Sequence, residues 1–333
     1  MAVVMTEGFD LYSATVPPAS RAEIVAASDV RYETGRFGGV ALSFGASTNF
    51  RMSLGVARNT LTVGVACRIG TTTSVLSPFT LRNGASNSTV MSFWMLGTGE
   101  IQICRGPTVN TNVIATLPVG AVPRDVWTYL EIEVTRAASG GALKIWVDGF
   151  VVYDGTGLNT GSAAIDQFAC TVNGNAFGNT FIDDFYLLDT LGAIGPCRVE
   201  LLVVDSDEAV AWTPSSGVSN FAMVDEHPSD GDVTFVSADA VGTQDYYGVT
   251  PLSATPAQIF GVQTVMVARM DDAGPRAVRC NLNVDGDEVL GTSHAMASGF
   301  LAFPELFTLN PVTSAPWTDA QVNGLLVGQE VAA

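Results

Sequence analysis

Residues 127–153 contain the pattern that most constrains the fold of this chain, because polar and apolar side chains alternate there. From Trp127 to Val134, core-type side chains at every second position alternate with aromatic or acidic ones. A period of two is that of a β-strand with one buried face. Residues 143–147 repeat the alternation after a Ser-Gly-Gly turn, and Asp148-Gly149 is a strong hairpin signal. The stretch therefore predicts a three-stranded antiparallel meander whose apolar face needs a second sheet to cover it.

The rest of the chain predicts the same class of structure. Short alternating runs separated by Gly, Asn and Ser recur, and no long segment has the period of a helix. One helix is predicted near the C-terminus, where Thr318 and Gln321 fit a capping box and Gly328 can end the helix. We therefore expect an all-β chain of two β-sandwich, jelly-roll-like domains with one short C-terminal helix.

The domain boundary is predicted at residues 191–196, a run of small residues that resembles a linker after a completed strand. It divides the chain into domains at 1–192 and 193–333. In the second domain, residues 198–204 predict a strand. Residues 259–270 form its longest apolar run, which predicts a central strand. We expect that strand to pair with residues 278–284 through a hairpin at residues 271–274.

Composition and charge exclude several classes of function. The chain has 333 residues, of which 47% are hydrophobic and 14% charged, and its formal net charge is −18. Lys144 is the only lysine, so no basic patch is expected to neutralise nucleic-acid phosphates or an anionic membrane surface. No apolar run reaches 18 residues, and the N-terminus has no signal-peptide pattern. Five widely spaced cysteines without a Cys-x-x-Cys pair are expected to be reduced and structural.

No residue cluster predicts catalysis or metal binding. Glu131 and Glu133 share one strand face, as a glycosidase pair would, but the Glu-x-Asp-x-x-Glu pattern is absent and we expect both to be solvated. The acidic residues at 205–208 and 225–232 could attract calcium, yet they lack the spacing of an EF-hand loop. We therefore predict no catalytic residue, no cofactor and no metal site, and expect the chain not to be an enzyme.

Four aromatic residues are candidates for an interface or for glycan contacts. Trp94, Trp127 and Trp146 are expected on outer sheet faces, where indole rings stack on sugars or fill subunit contacts. Tyr186 belongs to a strand, residues 181–188, that is apolar on both faces. We expect its outer face to be buried by the second domain or by a neighbouring subunit.

Three segments resemble a known fold family. Residues 36–44 (Arg-Phe-Gly-Gly-Val-Ala-Leu-Ser-Phe), the meander at residues 127–149 and the strand at residues 182–186 resemble strands of concanavalin A-like, laminin G-like sandwich domains. The resemblance covers residues 5–190. Such sandwiches serve as lectins, adhesion modules, glycosidases and virion parts, so the resemblance implies a fold and leaves the function open.

The second domain adds to this resemblance. Residues 224–232 are similar to companion domains of tailed-bacteriophage virion proteins, in which a sandwich of the first type precedes the second. The pairing implies a non-enzymatic structural component of a virion, associated with the tail or neck or decorating the capsid, which binds other virion proteins as a homo-oligomer. The alternative is a carbohydrate-binding, host-attachment protein whose partner is a surface glycan. A polysaccharide-degrading enzyme is the third hypothesis.

Overall fold

The computed structural model describes residues 3–12, 21–71, 75–171, 180–217, 219–271 and 276–333. The chain is all-β and forms two compact units. The first unit comprises Met1–Phe9 and Glu23–Val199, and the second comprises Asp10–Ala22 and Glu200–Ala333. The first unit therefore contains residues 191–199, which the sequence predicted to include a linker. The domain limits 1–192 and 193–333 stay a prediction for independently folding pieces.

The described part of the first unit contains thirteen strands joined by hydrogen bonds into one antiparallel array. The strands are β1 Val3–Glu7, β2 Ile24–Thr34, β3 Val40–Arg58, β4 Thr60–Ile69, β5 Thr80–Asn83, β6 Ser88–Met95, β7 Ile101–Arg105, β8 Val113–Leu117, β9 Trp127–Thr135, β10 Gly141–Val147, β11 Phe150–Leu158, β12 Ile165–Thr171 and β13 Thr180–Leu188.

The long strand β3 folds this array into two layers. Its first part pairs with β13 at residues 42–44, and its second part pairs with β12 at residues 49–58. We call β11-β10-β9-β4-β13, with β1 beside β13, the first half-sheet. We call β12-β5-β6-β7-β8 the second half-sheet. The two half-sheets face each other as a β-sandwich, because the rings of Phe168 in β12 and Phe185 in β13 are 5.1 Å apart.

The core lies between the half-sheets. A small apolar cavity there is lined by Ile132 and Ile145 from the first half-sheet and by Phe93 and Ile101 from the second. The inward side chains of β9 are fully or almost fully buried, as the alternation of residues 127–134 predicted. Burial of such side chains is the main favourable term for the sandwich.

The predicted meander is confirmed as β9, β10 and β11. Asp148 and Gly149 both have positive φ, at 48° and 82°, as a two-residue hairpin turn of type I′ requires. Alternation alone would place Phe181 and Asp183 on the same face as Phe185 and Leu187, and this prediction is wrong beyond residue 183. A bulge in β13, where Asp184 has φ 48°, shifts the register between Asp183 and Tyr186. The extra residue moves the following side chains to the opposite faces.

The second unit is built around a six-stranded antiparallel sheet of order β14-β17-β23-β19-β20, with β21 also paired to β19. Two further two-stranded sheets are formed by β15 with β16 and by β18 with β22. These elements are β14 Val204–Ala209, β15 Thr213–Pro214, β16 Val236–Ser237, β17 Gln244–Val249, β18 Val262–Ala268, β19 Ala277–Val284, β20 Asp287–Val289, β21 His294–Ala295, β22 Leu301–Phe307, β23 Leu326–Val331, a 3₁₀ turn at Phe221–Met223 and the helix α1 Asp319–Asn323.

Helix α1 begins as the sequence predicted and ends earlier. Thr318 and Gln321 form the capping box, and Val322 is buried in a core cluster with Leu282 and Trp317. The helix stops before Gly324 rather than at Gly328, because residues 326–331 form β23 at the centre of the six-stranded sheet.

Two strand predictions in this unit are wrong. Residues 262–268 pair with β22 and not with residues 278–284, which lie between β23 and β20. Most of the expected hairpin, at residues 272–274, lies outside the described residues. Residues 198–203 are not a strand, and β14 begins at Val204. An apolar alternating run identifies a strand without selecting its partner, which tertiary packing decides.

None of the helices in the described ranges is long and apolar enough to cross a membrane.

Candidate functional site

The four candidate aromatic residues lie on two different outer faces of the first unit. Trp127, Trp146 and Tyr186 belong to the outer face of the first half-sheet, and Trp94 belongs to that of the second. Trp127 and Trp146 are half-buried, whereas Trp94 is 7% exposed and Tyr186 only 3%. The two faces differ in what covers them, and this difference locates the candidate site.

Tyr186 lies beneath residues 191–199, which we call the covering segment. The Tyr186 hydroxyl donates a hydrogen bond of 2.5 Å to Glu131 Oε1, and the backbone N–H of Gly195 donates to the same oxygen at 2.7 Å. The backbone N–H of Gly192 donates to Glu133 Oε2 at 2.6 Å. Glu131 is therefore fully buried, which corrects the expectation that Glu131 and Glu133 are both solvated. Their carboxylates hold the covering segment on the sheet.

A second set of contacts fixes the end of the covering segment. The N–H of Val199 donates to Asp184 Oδ1 at 2.8 Å, and Arg36 Nη1 forms an ion pair of 3.2 Å with Asp184 Oδ2. The Arg36 guanidinium also donates to the Cys197 carbonyl oxygen at 3.0 Å. The outer contact expected for residues 181–188 is thus made by the same unit. No partner is needed to bury Tyr186.

The Tyr186 hydroxyl and the Cys197 thiol, which lie at the covering segment, are held in their neutral forms. Burial and the hydrogen bond to Glu131 raise the pKa of Tyr186 well above its ordinary value. Burial and the nearby Glu131 carboxylate raise the pKa of the Cys197 thiol to about 12. A thiol with this pKa has almost no thiolate near neutral pH and is a poor nucleophile. The arrangement is structural.

The two half-buried tryptophans each have a cationic side chain on one ring face. The Arg68 guanidinium lies 5.5 Å from the ring centroid of Trp127, and Lys144 Nζ lies 5.3 Å from that of Trp146. Lys144 also forms an ion pair of 2.7 Å with Asp154. These cation–π contacts already use one face of each indole ring.

The outer face of the second half-sheet is built by strand register. Gln167 of β12 lies opposite both Ser53 of β3 and Arg82 of β5. In the neighbouring row, Ala169 lies opposite Arg51 and Thr80. These side chains point away from the core, because the residues that alternate with them include Phe168, which contacts the first half-sheet. We call Arg51, Thr80, Arg82, Trp94 and Gln167 the arginine face.

Two guanidinium groups converge at one end of the arginine face. Arg51 Nη1 donates to Asn87 Oδ1 at 3.2 Å, and Arg82 Nη2 donates to the same oxygen at 2.9 Å. Arg82 also donates to Thr89 Oγ1 at 3.0 Å and to the Asn87 carbonyl oxygen at 3.1 Å. Burial and the charge of Arg51 lower the pKa of Arg82. The two like charges are joined by a neutral amide.

Several polar atoms of the arginine face have no hydrogen-bond partner. Of nine buried, unpartnered side-chain atoms in the described ranges, four lie here: Arg51 Nε, Thr80 Oγ1, Arg82 Nε and Gln167 Oε1. An unsatisfied buried group typically costs about 1–3 kcal/mol, so such atoms are rare and require an explanation. Their concentration on one face makes this face the candidate binding site.

Trp94 borders this cluster and is fixed in place. Its Nε1 donates to Ser92 Oγ at 2.8 Å, and Ser92 Oγ donates to the Gly106 carbonyl oxygen at 2.6 Å. Ser92 lies opposite Thr80, so it extends the row of Ala169 and Thr80. The indole N–H is therefore already used, and little of the ring is accessible to a ligand.

The second unit has a polar sheet face of a different kind. Glu330 accepts hydrogen bonds from Arg279 Nε at 2.8 Å, from Gln244 at 3.0 Å and from Asn281 at 2.9 Å. The Arg279 guanidinium lowers the pKa of Glu330 to about 2. Both charges of this ion pair have partners within the unit. This face therefore differs from the arginine face, where two like charges share one neutral acceptor.

Three acidic residues of the segment 225–232, which was considered for calcium, are engaged in other contacts. Asp230 and Glu226 both accept hydrogen bonds from Thr234 Oγ1, at 2.8 and 2.6 Å, and Asp232 pairs with Arg269 at 2.7 Å. Within the described ranges, no three His, Cys, Asp or Glu side chains are grouped so that they could hold a metal ion. All five cysteines are free thiols.

Comparisons with known proteins give only distant similarities. No protein-family model matches the chain, and no curated protein matches it. Three similar solved structures illustrate the range. One is HCR/D-Sa-GBL1/C, with 10% identity, a TM-score of 0.42, and coverage of 99% of this chain and 94% of that chain. Another is the cellulose induced protein Cip1, with 12% identity, a TM-score of 0.39, and coverage of 50% and 88%.

The third is domain 4 of AbnA, a GH43 extracellular arabinanase from Geobacillus stearothermophilus, in complex with arabinotriose. It has 17% identity, a TM-score of 0.38, and coverage of 56% of this chain and 91% of that domain. At such identities and TM-scores, these similarities carry no argument about the function of this chain.

Proposed function

We propose that this chain binds carbohydrate and that the arginine face is its binding surface. The observation that carries the proposal is the group of four buried polar atoms without partners on one sheet face. Sugar hydroxyls both donate and accept hydrogen bonds, so they complement the Nε–H groups of the arginines and the amide oxygen of Gln167. The strands already hold these side chains together, which lowers the entropic cost of binding.

Access to the arginine face is consistent with this role. Arg51, Arg82 and Gln167 are half-buried, so parts of all three side chains reach the surface. Their hydrogen bonds to Asn87 lie at the exposed end of the β5–β6 turn. A sugar that replaces Asn87 as the acceptor would reach both guanidinium groups without disturbing the core.

We propose binding without catalysis. The pair of acids considered for catalysis, Glu131 and Glu133, accepts hydrogen bonds from backbone N–H groups of the covering segment. Glu131 is fully buried and cannot protonate a glycosidic oxygen of a bound polysaccharide. A reducing-sugar assay on bound glycans tests this part of the proposal, and release of reducing ends would overturn it.

A glycan array followed by isothermal titration calorimetry tests the binding proposal. We expect at least one class of glycan to bind, and we expect Gln167→Ala and Arg82→Gln to raise its Kd by about tenfold, because each removes a hydrogen bond. Lys144→Gln is the matched control, since Lys144 lies on the other half-sheet and is paired with Asp154. Unchanged affinity in both test variants would show that the glycan binds elsewhere, and no binding on the array would contradict the proposal.

Assembly in a virion is the second candidate function, and the edge strand β11 favours it. Phe150 is 76% exposed and Val151 51% exposed. Exposed apolar side chains on an edge strand are typical of surfaces that pair with another chain. In this proposal the chain is a homo-oligomeric structural component that contacts other virion proteins. The two candidates are compatible if the chain lies at a host-attachment surface.

Sedimentation velocity tests the assembly candidate. We expect an oligomer that Phe150→Ser and Val151→Ser dissociate, while glycan affinity per chain stays unchanged. A monomer at all accessible concentrations would remove the homo-oligomer from this proposal.

A further inference from the structure

The arginine face carries positive charge that is not compensated locally, in a chain with a large excess of acid. The sequence has 33 acidic and 15 basic residues, and carboxylates pair with Arg36, Lys144, Arg269 and Arg279. No carboxylate in the described ranges forms an ion pair with Arg51 or Arg82. Two guanidinium groups share Asn87 Oδ1 instead. Because the two guanidinium charges repel each other, the arrangement stabilises the fold less than an ion pair would.

The donor groups of the two arginines are also underused. A guanidinium has five N–H donors in a fixed plane, arranged to bind the two oxygens of a carboxylate. Arg82 makes three hydrogen bonds, to Thr89 and to two oxygens of Asn87, and Arg51 makes one to Asn87. The Nε–H of each residue is buried without an acceptor. An acceptor with two charged oxygens would satisfy both groups.

We infer that the saccharide bound at the arginine face carries a carboxylate, and that this carboxylate lies between Arg51 and Arg82 as the acceptor for both. The inference rests on the proposed function and assigns its ligand class: an acidic sugar such as a uronic or a nonulosonic acid. Gln167 and Thr80 then bind hydroxyl groups of the same sugar or its neighbour, because Gln167 shares a row of the sheet with Arg82, and Thr80 shares the neighbouring row with Arg51.

Net charge favours a saccharide over a nucleic acid or a protein tail rich in acid. A chain of net charge −18 repels a long polyanion, so two arginines cannot make up for many added negative charges. A saccharide with isolated carboxylates avoids most of this repulsion and also supplies hydroxyls for the remaining polar atoms. The arginine face therefore fits a single acidic group within an otherwise neutral ligand.

The experiment compares acidic glycans with their own neutral forms. A panel of sialylated and uronic-acid oligosaccharides is titrated by calorimetry into the full chain, each beside its methyl ester, in which the carboxylate is neutral. We expect esterification to raise the Kd by about 10- to 100-fold, as for loss of a charge-assisted, bidentate hydrogen bond. Sulfated oligosaccharides without carboxylates form a further arm, and stronger binding of these than of the acids would overturn the carboxylate assignment.

Variants locate the effect. In Arg82→Gln and Arg51→Gln, the preference for the acid over its ester is expected to fall to within about threefold, while Lys144→Gln retains it. Arg82→Lys is the conservative variant, because it keeps the charge and loses the planar pair of donors. We expect it to retain part of the preference for the acid over its ester. If neutral glycans bind as well as acids, the inference fails and the proposed function stands. If no glycan of either kind binds, both fail.

Discussion

The two outer faces of the first unit carry polar residues at equivalent outward positions, and they differ in how those residues are satisfied. On the first half-sheet, Glu131 Oε1 receives hydrogen bonds from the Tyr186 hydroxyl and from the covering segment, while Glu131 Oε2 is buried without a partner. On the second, Arg51 and Arg82 share one neutral acceptor and leave both Nε–H groups unpaired. The covered face thus leaves one such atom without a partner at Glu131, whereas the arginine face leaves four. A polar cluster held mainly by its own chain stabilises the fold, whereas one with several unpartnered atoms is available to a ligand.

This comparison predicts that substitutions on the covered face destabilise the chain, and that those on the arginine face change binding with little change in stability. The strongest effect is expected at Gly64. A β-carbon there would overlap the ring of Tyr186, which lies flat against the strand. Gly64→Ala should lower the free energy of unfolding by about 3 kcal/mol, because the buried ring must move and lose its bond to Glu131. Urea unfolding measures this change.

Gly299→Ala is the control for Gly64→Ala, since nothing lies within 4 Å of a β-carbon at that position. We expect it to change the free energy of unfolding by less than about 0.5 kcal/mol. Equal effects of the two substitutions would show that Tyr186 is not packed on Gly64.

The second prediction concerns the polar sheet face of the second unit, where a carboxylate and an arginine form an ion pair. The pKa of Glu330 is lowered from 4.5 to about 2 by Arg279. A lowered carboxyl pKa stabilises the fold above the unfolded-state value of 4.5, and this contribution is lost as the pH falls from 4.5 towards 2. We expect the amides of β19 and β23 to lose about 2–3 kcal/mol of protection between pH 7 and pH 2.5, measured by native-state hydrogen exchange.

Glu330→Gln isolates this contribution. The variant should be less stable than the wild-type chain at pH 7 and should approach it in stability near pH 2, where the wild-type carboxylate is becoming protonated. A constant difference at all pH values would exclude ionisation of Glu330 as the cause.

The third prediction uses Cys197 as a reporter of the covering segment. Burial raises the pKa of Cys197 to about 12 and the Glu131 charge adds to this shift, so Glu131→Gln removes the second cause and also weakens the hydrogen bond to Gly195. We expect about 1–2 kcal/mol of lost stability and faster alkylation of Cys197 by iodoacetamide at pH 8. Cys280, whose pKa is raised to about 11 by burial in the other unit, is the internal control in the same mass spectra. An unchanged ratio of the two alkylation rates would contradict the role given to Glu131.

The smallest stability effect is expected on the arginine face. Arg82→Gln removes three hydrogen bonds to Thr89 and Asn87, but it also removes a charge that is repelled by Arg51 and an Nε–H group that has no partner. We expect the free energy of unfolding to stay within about 1 kcal/mol of the wild-type value, or to rise. Urea unfolding decides: a loss comparable to that of Gly64→Ala would make Arg82 a structural residue and would remove the contrast between the faces.

The strands of the first unit could be predicted because their signals are local. Strict alternation in residues 127–147 and the Asp148-Gly149 turn specify the meander without reference to the rest of the chain. Strand pairing in the second unit was predicted wrongly for residues 262–268, because β22 competes with the adjacent strand and lies more than 30 residues away. Local pattern does not decide such competition.

The arginine face could not be predicted, although β3 and β5 each contain an outward arginine. Arg51 and Arg82 meet because β12 pairs with both β3 and β5, and β12 follows them by more than 80 residues. The covering segment was missed for another reason. Its small residues resemble a linker, but Gly192 and Gly195 adopt positive φ of 117° and 88°, and their N–H groups bind Glu133 and Glu131.

The most direct test of the account observes the arginine side chains themselves. Arginine Nε–H signals in a ¹H–¹⁵N spectrum are recorded while the tightest-binding acidic oligosaccharide is added. We predict that the Nε–H signals of Arg51 and Arg82, assigned by Arg51→Gln and Arg82→Gln, shift together as their unpaired protons gain an acceptor. The signal of Arg136, whose Nε already donates to the Ala163 carbonyl oxygen, should stay in place. Saturable binding without movement of the Arg51 and Arg82 signals would contradict the central claim.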